Sequence, residues 1–320
     1  MKEKIVGIFV CMLLMFTAFS AVATTSKQEK SSLNQNTGHR GGLFTQLPKD
    51  PGFSSFDWYS FWCANVSDSC YQCYEMFTDV ASPIRGIHWW GHSMNETTDG
   101  SMQPSDPVGM TFTIAFYKDN NTKPGEMVLS YNNVKPSITA TGIPYSEFGY
   151  SLELYFFEYD LTPSCNLSTG WVSIFSTGSD HKCSLRWMES STGNHNAFTT
   201  KNGTTYDAPG KGFSLVLTDG AKTSLEIVKM KGGLGVTLGI KNNGNATVDN
   251  YPVDFILKSS NKKINVNAGK TISGLASGAT TSLKTGMFWG RGIFTIFVVG
   301  DGIAAYKQGK QLFVFTIVQK

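Results

Sequence analysis

Apolar and polar positions alternate with a period of two along much of this chain. Met110-Thr111-Phe112-Thr113-Ile114-Ala115-Phe116-Tyr117 places Met110, Phe112, Ile114 and Phe116 on one face. Tyr150-Ser151-Leu152-Glu153-Leu154-Tyr155-Phe156 repeats the pattern, and Gly212-Phe213-Ser214-Leu215-Val216-Leu217 follows it later. Successive side chains of a strand leave opposite faces, so this period predicts half-buried strands. Between them lie Asp119-Asn120-Asn121, Lys123-Pro124-Gly125, Asn202-Gly203 and Pro209-Gly210. These residues favour turns because they accept positive φ or preset a bend. No helical period of 3.6 persists for more than a turn.

From about residue 223 the aromatics thin out. Leu225-Glu226-Ile227-Val228-Lys229-Met230, Val236–Ile240, Val253–Leu257, Ile293–Val299 and Leu312–Val318 read as strands, with Asn242-Asn243-Gly244-Asn245 as a turn. The expected fold is all-β. Residues 52–220 form a jelly-roll-like β-sandwich, and residues 223–320, with about seven strands, an immunoglobulin-like one. The expected boundary lies near Asp219-Gly220-Ala221.

The 320 residues carry only 16% charged side chains, a formal net charge of +3 and 33 glycines. That composition suits short strands and many turns. It lacks the basic runs of a nucleic-acid binder, so no nucleic-acid partner is expected. The chain opens with Lys2 and Lys4, an apolar run from Ile5 to Phe19, and Ala21-Val22-Ala23. This is the pattern of an export signal cleaved after Ala23, so residues 1–23 are set apart from the fold. An uncleaved N-terminal anchor is the alternative, since the stretch is long enough to span a bilayer at about 20 residues. Residues 24–51 are polar and read as a flexible linker. No second spanning stretch follows, so the mature chain is expected to be secreted or at the cell surface, with no transmembrane segment.

Export permits disulfides. Cys165 and Cys183 bracket an apolar run and are the expected pair, worth about 3 kcal/mol for a loop of that length. Cys63, Cys70 and Cys73 cannot all pair; a bridge from Cys63 to Cys70 or to Cys73 leaves one over.

Leu225-Glu226-Ile227, Lys231-Gly232-Gly233-Leu234-Gly235-Val236, Ile240–Ala246, Ile272–Gly278 and Phe288-Trp289-Gly290 resemble the CARDB-like, immunoglobulin-type adhesion modules of secreted archaeal and bacterial proteins. The resemblance runs over most of residues 224–318. It implies a spacer or adhesion unit and brings no catalytic residues. Ile87-His88-Trp89-Trp90-Gly91, Phe116–Asp119, Pro124-Gly125, Gly170–Ile174 and Leu185-Arg186-Trp187 make the first half similar to jelly-roll-type domains of large secreted prokaryotic proteins. That similarity implies a fold and no particular activity.

Candidate chemistry is sparse. His88 and His92 are four apart, but in a strand that separates them by about 13 Å; only a sharp turn at Gly91 would bring them to one metal ion, and two unrelated histidines are the expected reading. Cys70-x2-Cys73 lacks the βαβ setting of a redox pair. There is no G-x-S-x-G elbow. Glu153 and Glu158 fall on opposite faces of their strand and cannot flank one glycosidic bond. A non-catalytic protein is expected, with a carbohydrate-active enzyme or a purely structural envelope component as alternatives. Trp58, Tyr59, Trp62, Trp89 and Trp90 are the candidate ligand-binding residues, because sugar rings stack on exposed aromatics. Polysaccharide or cell-envelope components are the expected partners. No metal or cofactor is expected; the Asp119-Asn120-Asn121 loop is oxygen-rich enough to suggest Ca²⁺, though a plain turn explains it. Asn65, Asn95, Asn120, Asn166, Asn202 and Asn245 each begin an N-x-S/T glycosylation sequon.

Overall fold

The computed structural model describes residues 42–51, 60–63, 65–66, 69–81, 83–97, 99–147, 149–177, 183–190, 196–206, 212–220 and 224–319. Residues 1–23, expected to be an export signal, therefore lie outside the described residues. The described residues are all-β, with every strand pairing antiparallel and no helix among them. None of their segments is a helix long and apolar enough to cross a membrane.

Four sheets organise the chain. The first runs Gly42–Gln46, Leu215–Thr218, Ile84–Glu96, Tyr150–Cys165 and Ser137–Glu147, with Cys183–Ser190 also paired to Ile84–Glu96. The second centres on Ser69–Phe77, Gly170–Ser176, Phe112–Asp119 and Pro124–Val134. The third is Leu225–Lys231, Thr237–Asn242 and Thr280–Lys284. The fourth orders Gly233–Leu234, Phe315–Val318, Ile303–Phe313, Gly290–Gly300, Tyr251–Lys258 and Asn265–Asn267.

Burial explains the stacking. Ile87, Trp89, Phe157, Trp187 and Leu217 of the first sheet meet Phe77, Phe112, Ile114, Phe116 and Val172 of the second in one core. Leu238 and Ile240 of the third meet Val253, Phe255, Phe294, Ile296 and Val298 of the fourth in another. A third cluster joins the outward faces of the first and fourth sheets: Trp90, Ile143, Tyr145, Leu154, Phe156 and Val216 pack on Ile256, Phe297 and Val299. The sheets therefore stack in the order second, first, fourth, third, and the described residues belong to one compact unit.

Three expectations are corrected. Gly42–Gln46, assigned to the flexible linker, is a strand paired antiparallel to Leu215–Thr218 in the first sheet, with Gln46 opposite Leu215. Leu43, Phe44 and Leu47 supply the apolar contacts that hold it. Second, Cys165 is a buried free thiol, not bridged to Cys183. The register shows why: Cys165 lies opposite Ile84 and Cys183 opposite Asn95, at the two ends of the same strand. At about 3.3 Å per residue the cysteines are roughly 36 Å apart, against the 7 Å limit for a disulfide. Third, Trp89 and Trp90 are both buried, and neither offers a surface to a ligand. Their strand is covered on both faces, by the second sheet and by the fourth.

Candidate functional site: the outer face of the fourth sheet

The aromatic residues expected to bind sugars do not form a site among the described residues. Trp89 stacks on Phe157 at 5.2 Å, inside the first core. Trp90 packs on Phe156 at 5.1 Å, in the seam between the first and fourth sheets. Trp58 and Tyr59 lie outside the described residues, as does the side chain of Trp62. Asp119 is a hydrogen-bond acceptor for Trp171 Nε1 at 2.8 Å. No group of three or more His, Cys, Asp or Glu suited to a metal occurs among the described residues.

The two histidines are separated as well. His88 Nδ1 bonds Asp301 Oδ1 at 2.6 Å, across the seam from the turn after Gly290–Gly300. Burial lowers the His88 pKa, but Asp301, aided by Glu158 and Asp160, outweighs it and holds it above the ordinary value. His92 is fully buried, and burial pushes it down to about 4 while its Nδ1 bonds the carbonyl of Glu153 at 2.8 Å. Cys73 is disulfide-bonded, and Cys70 carries a free thiol that burial pushes up. The side chain of Cys63 is outside the described residues. Asn120, Asn166, Asn202 and Asn245 are exposed and Asn95 is half-buried; the side chain of Asn65 is not described.

One sheet face organises the rest. Odd-numbered residues of Gly290–Gly300 point away from the core of the second sandwich, because Phe294, Ile296 and Val298 point into it. The register lays out this outer face in rows. Ile256, Phe297 and Tyr306 form one row, and Lys258, Thr295 and Gln308 the next. Ile293, Lys310 and Ile317 follow, then Arg291, Leu312, Phe315 and Leu234. The first of these rows docks onto the first sandwich. The second borders a cleft of about 330 Å³ that also takes in Asp50, Tyr145 and Ser146. An Asp50–Lys258 ion pair crosses it. Burial, then the Asp50 charge, raises Asp254 beside it to about 6.

The last two rows are open to solvent. Ile293 is 62% exposed, Phe315 60% and Leu234 63%. Ile317 and Leu312 are exposed beside them, with Trp289 and Phe313 at the rim. Arg291 and Lys310 are the charged residues in these rows, and no acidic residue occupies them.

The sequence builds this end deliberately. Gly232-Gly233 carries the chain from the third sheet to the fourth, where Leu234 lies opposite Phe315. A Cβ on Gly232 would sit 2.0 Å from the carbonyl oxygen of Thr316, so only glycine fits. Buried Gln311 then ties three segments together. Its Nε2 donates to the Phe288 carbonyl at 2.9 Å and to the Phe313 carbonyl at 2.8 Å, and its Oε1 accepts from Thr316 Oγ1 at 2.5 Å. Phe288 packs edge-on to Phe294 at 5.8 Å, which leaves its neighbour Trp289 on the surface.

Sequence reading missed these residues because Ile293–Val299 is apolar almost throughout, which predicts a strand buried on both faces. The signal that could have found them is the run Gly286-Met287-Phe288-Trp289-Gly290, too apolar for an ordinary loop.

No family model matches the chain, and no curated protein matches it.

Proposed function

We propose that this is a non-catalytic, exported protein that attaches to the cell envelope or to another surface, with the outer face of the fourth sheet as its binding surface. The observation that carries this reading is the exposed run of Leu234, Trp289, Ile293, Leu312, Phe315 and Ile317 on a rigid sheet, flanked by Arg291 and Lys310. An open apolar patch costs solubility, and its persistence on a pinned scaffold is the mark of an interaction surface. The export pattern at residues 1–23 and the exposed sequons agree with an extracellular setting. The resemblance of residues 224–318 to CARDB-like adhesion modules and of the first half to jelly-roll domains supports an adhesive rather than a catalytic role. Burial of Trp89 and Trp90 moves the binding surface away from the first sandwich and weakens the case for sugar stacking there.

The test is co-sedimentation of purified protein with isolated wall and membrane fractions. Wild type is expected to pellet, and the Trp289→Ala/Phe315→Ala double variant to remain in the supernatant. Equal pelleting of both would remove this face from the account.

A further inference from the structure

Resting on the proposed attachment role, we infer that the exposed half of this face docks onto an anionic lipid surface. Residues 221–320 contain thirteen Lys and Arg against four Asp and Glu, a net +9 in a chain whose total is +3. The second sandwich is therefore strongly cationic and the remainder acidic. Arg291 and Lys310 stand within the apolar rows themselves. Apolar and aromatic side chains framed by basic ones match the boundary between anionic headgroups and acyl chains, where each Lys or Arg near the surface adds about 1 kcal/mol.

Other occupants fit less well. A second copy packed face to face would set Arg291 and Lys310 of one molecule against the same charges of the other. The chain's own residues 24–41 hold one large aliphatic residue, Leu33, and more basic than acidic groups, a composition that complements neither the apolar surface nor the positive charge of the patch. The patch is continuous with an established interface, since Phe297 and Tyr306 of the same face already seat the first sandwich. Ile293 lies about 13 Å further along the strand from Phe297, clear of that contact.

Phe313 adds an independent mark. It sits at φ 59° in the tight turn joining Ile303–Phe313 to Phe315–Val318, and is 66% exposed. A bulky residue with left-handed backbone is costly, and glycine or asparagine is the ordinary choice there. An exposed phenylalanine at that position gains nothing for the fold and places an aromatic ring at the tip of the patch.

The experiment is sedimentation of the purified protein with vesicles of phosphatidylcholine, alone or mixed with phosphatidylglycerol. Binding to the mixed vesicles is expected to be at least tenfold stronger and to weaken with salt. Arg291→Gln/Lys310→Gln should lower it by about 30-fold. Phe315→Ser should lower it by about tenfold at an unchanged melting temperature, since the ring is exposed. Phe313→Asn should weaken binding while leaving thermal stability equal or higher. Absence of binding to the mixed vesicles, with Phe315-dependent pelleting on wall fractions intact, overturns the lipid inference and leaves the attachment role standing. A Phe315-dependent dimer in place of vesicle binding would overturn it in favour of a second copy. Failure to bind vesicles and envelope fractions alike would remove both.

Discussion

Replacing Asp301 by asparagine should uncouple the two sandwiches in a pH-dependent way. Asp301 reaches His88 across the seam, with Nδ1 and Oδ1 at 2.6 Å and side chains 14% and 8% exposed. The charged groups facing this histidine are Asp301, Glu158 at 3.9 Å from Nε2, and Asp160 on the same strand as Glu158; the ring of Phe156 closes the remaining side at 5.5 Å. A buried hydrogen bond between charged partners is worth about 1.5–3 kcal/mol, and a neutral one about 1. Asparagine keeps the shape and one hydrogen bond, so the loss is about 1–2 kcal/mol while His88 is protonated. The Tyr251 hydroxyl donates to the backbone carbonyl of residue 301, a bond the substitution leaves alone.

The sign follows from the raised His88 pKa. Its stabilisation is fully present below the unfolded value of about 6.5 and is lost as pH rises through the higher folded value. Buried His92 pulls the other way at acid pH in both proteins, so it cancels in the difference. Calorimetry at about pH 5.5 should show the variant melting about 3–6 °C below wild type, with the gap shrinking to about a third or less near pH 8.5. Equal gaps at both pH values, or none, would refute a protonated His88–Asp301 latch.

Three other outcomes follow from the packing. Phe297→Ala, in the seam cluster, should cost about 3–5 kcal/mol and split thermal unfolding into two transitions, read by calorimetry. Glu75 is buried and accepts from Gln46 Nε2 at 2.7 Å and from the Phe213 amide at 2.6 Å; burial raises its pKa well above the usual carboxylate range despite those bonds. A raised carboxyl destabilises once pH exceeds its unfolded value, so Glu75→Gln should stabilise by about 1–2 kcal/mol near pH 8 and by less near pH 4.5, measured by denaturant titration. Alkylation of the native protein should label Cys70 and spare Cys165, with both labelled after unfolding; a peptide linking Cys165 to Cys183 would contradict the register.

Much of the fold is legible from alternation alone. Phe112–Asp119, Tyr150–Cys165, Leu225–Lys231 and Tyr251–Lys258 all overlap segments expected to be strands. What alternation cannot show is how many sheets lie on each side. Trp89 and Trp90 point to opposite faces of one strand, and alternation alone does not reveal that the second sheet covers one face and the fourth sheet the other. Cys165 and Cys183 are close in sequence, but the strand between them crosses to the other sheet and the two ends meet opposite ends of Ile84–Glu96. The exposed apolar face was hidden for the converse reason: a wholly apolar strand reads as buried, yet among the described residues only half of its outer face is covered.

Hydrogen–deuterium exchange during attachment tests the central claim most directly. With mixed anionic vesicles or envelope fractions present, protection should appear at Gly233–Leu234, the Met287–Ile293 segment and the turn from Leu312 to Ile317. Protection confined to the first sandwich, or no change in these segments while the protein is bound, would contradict it.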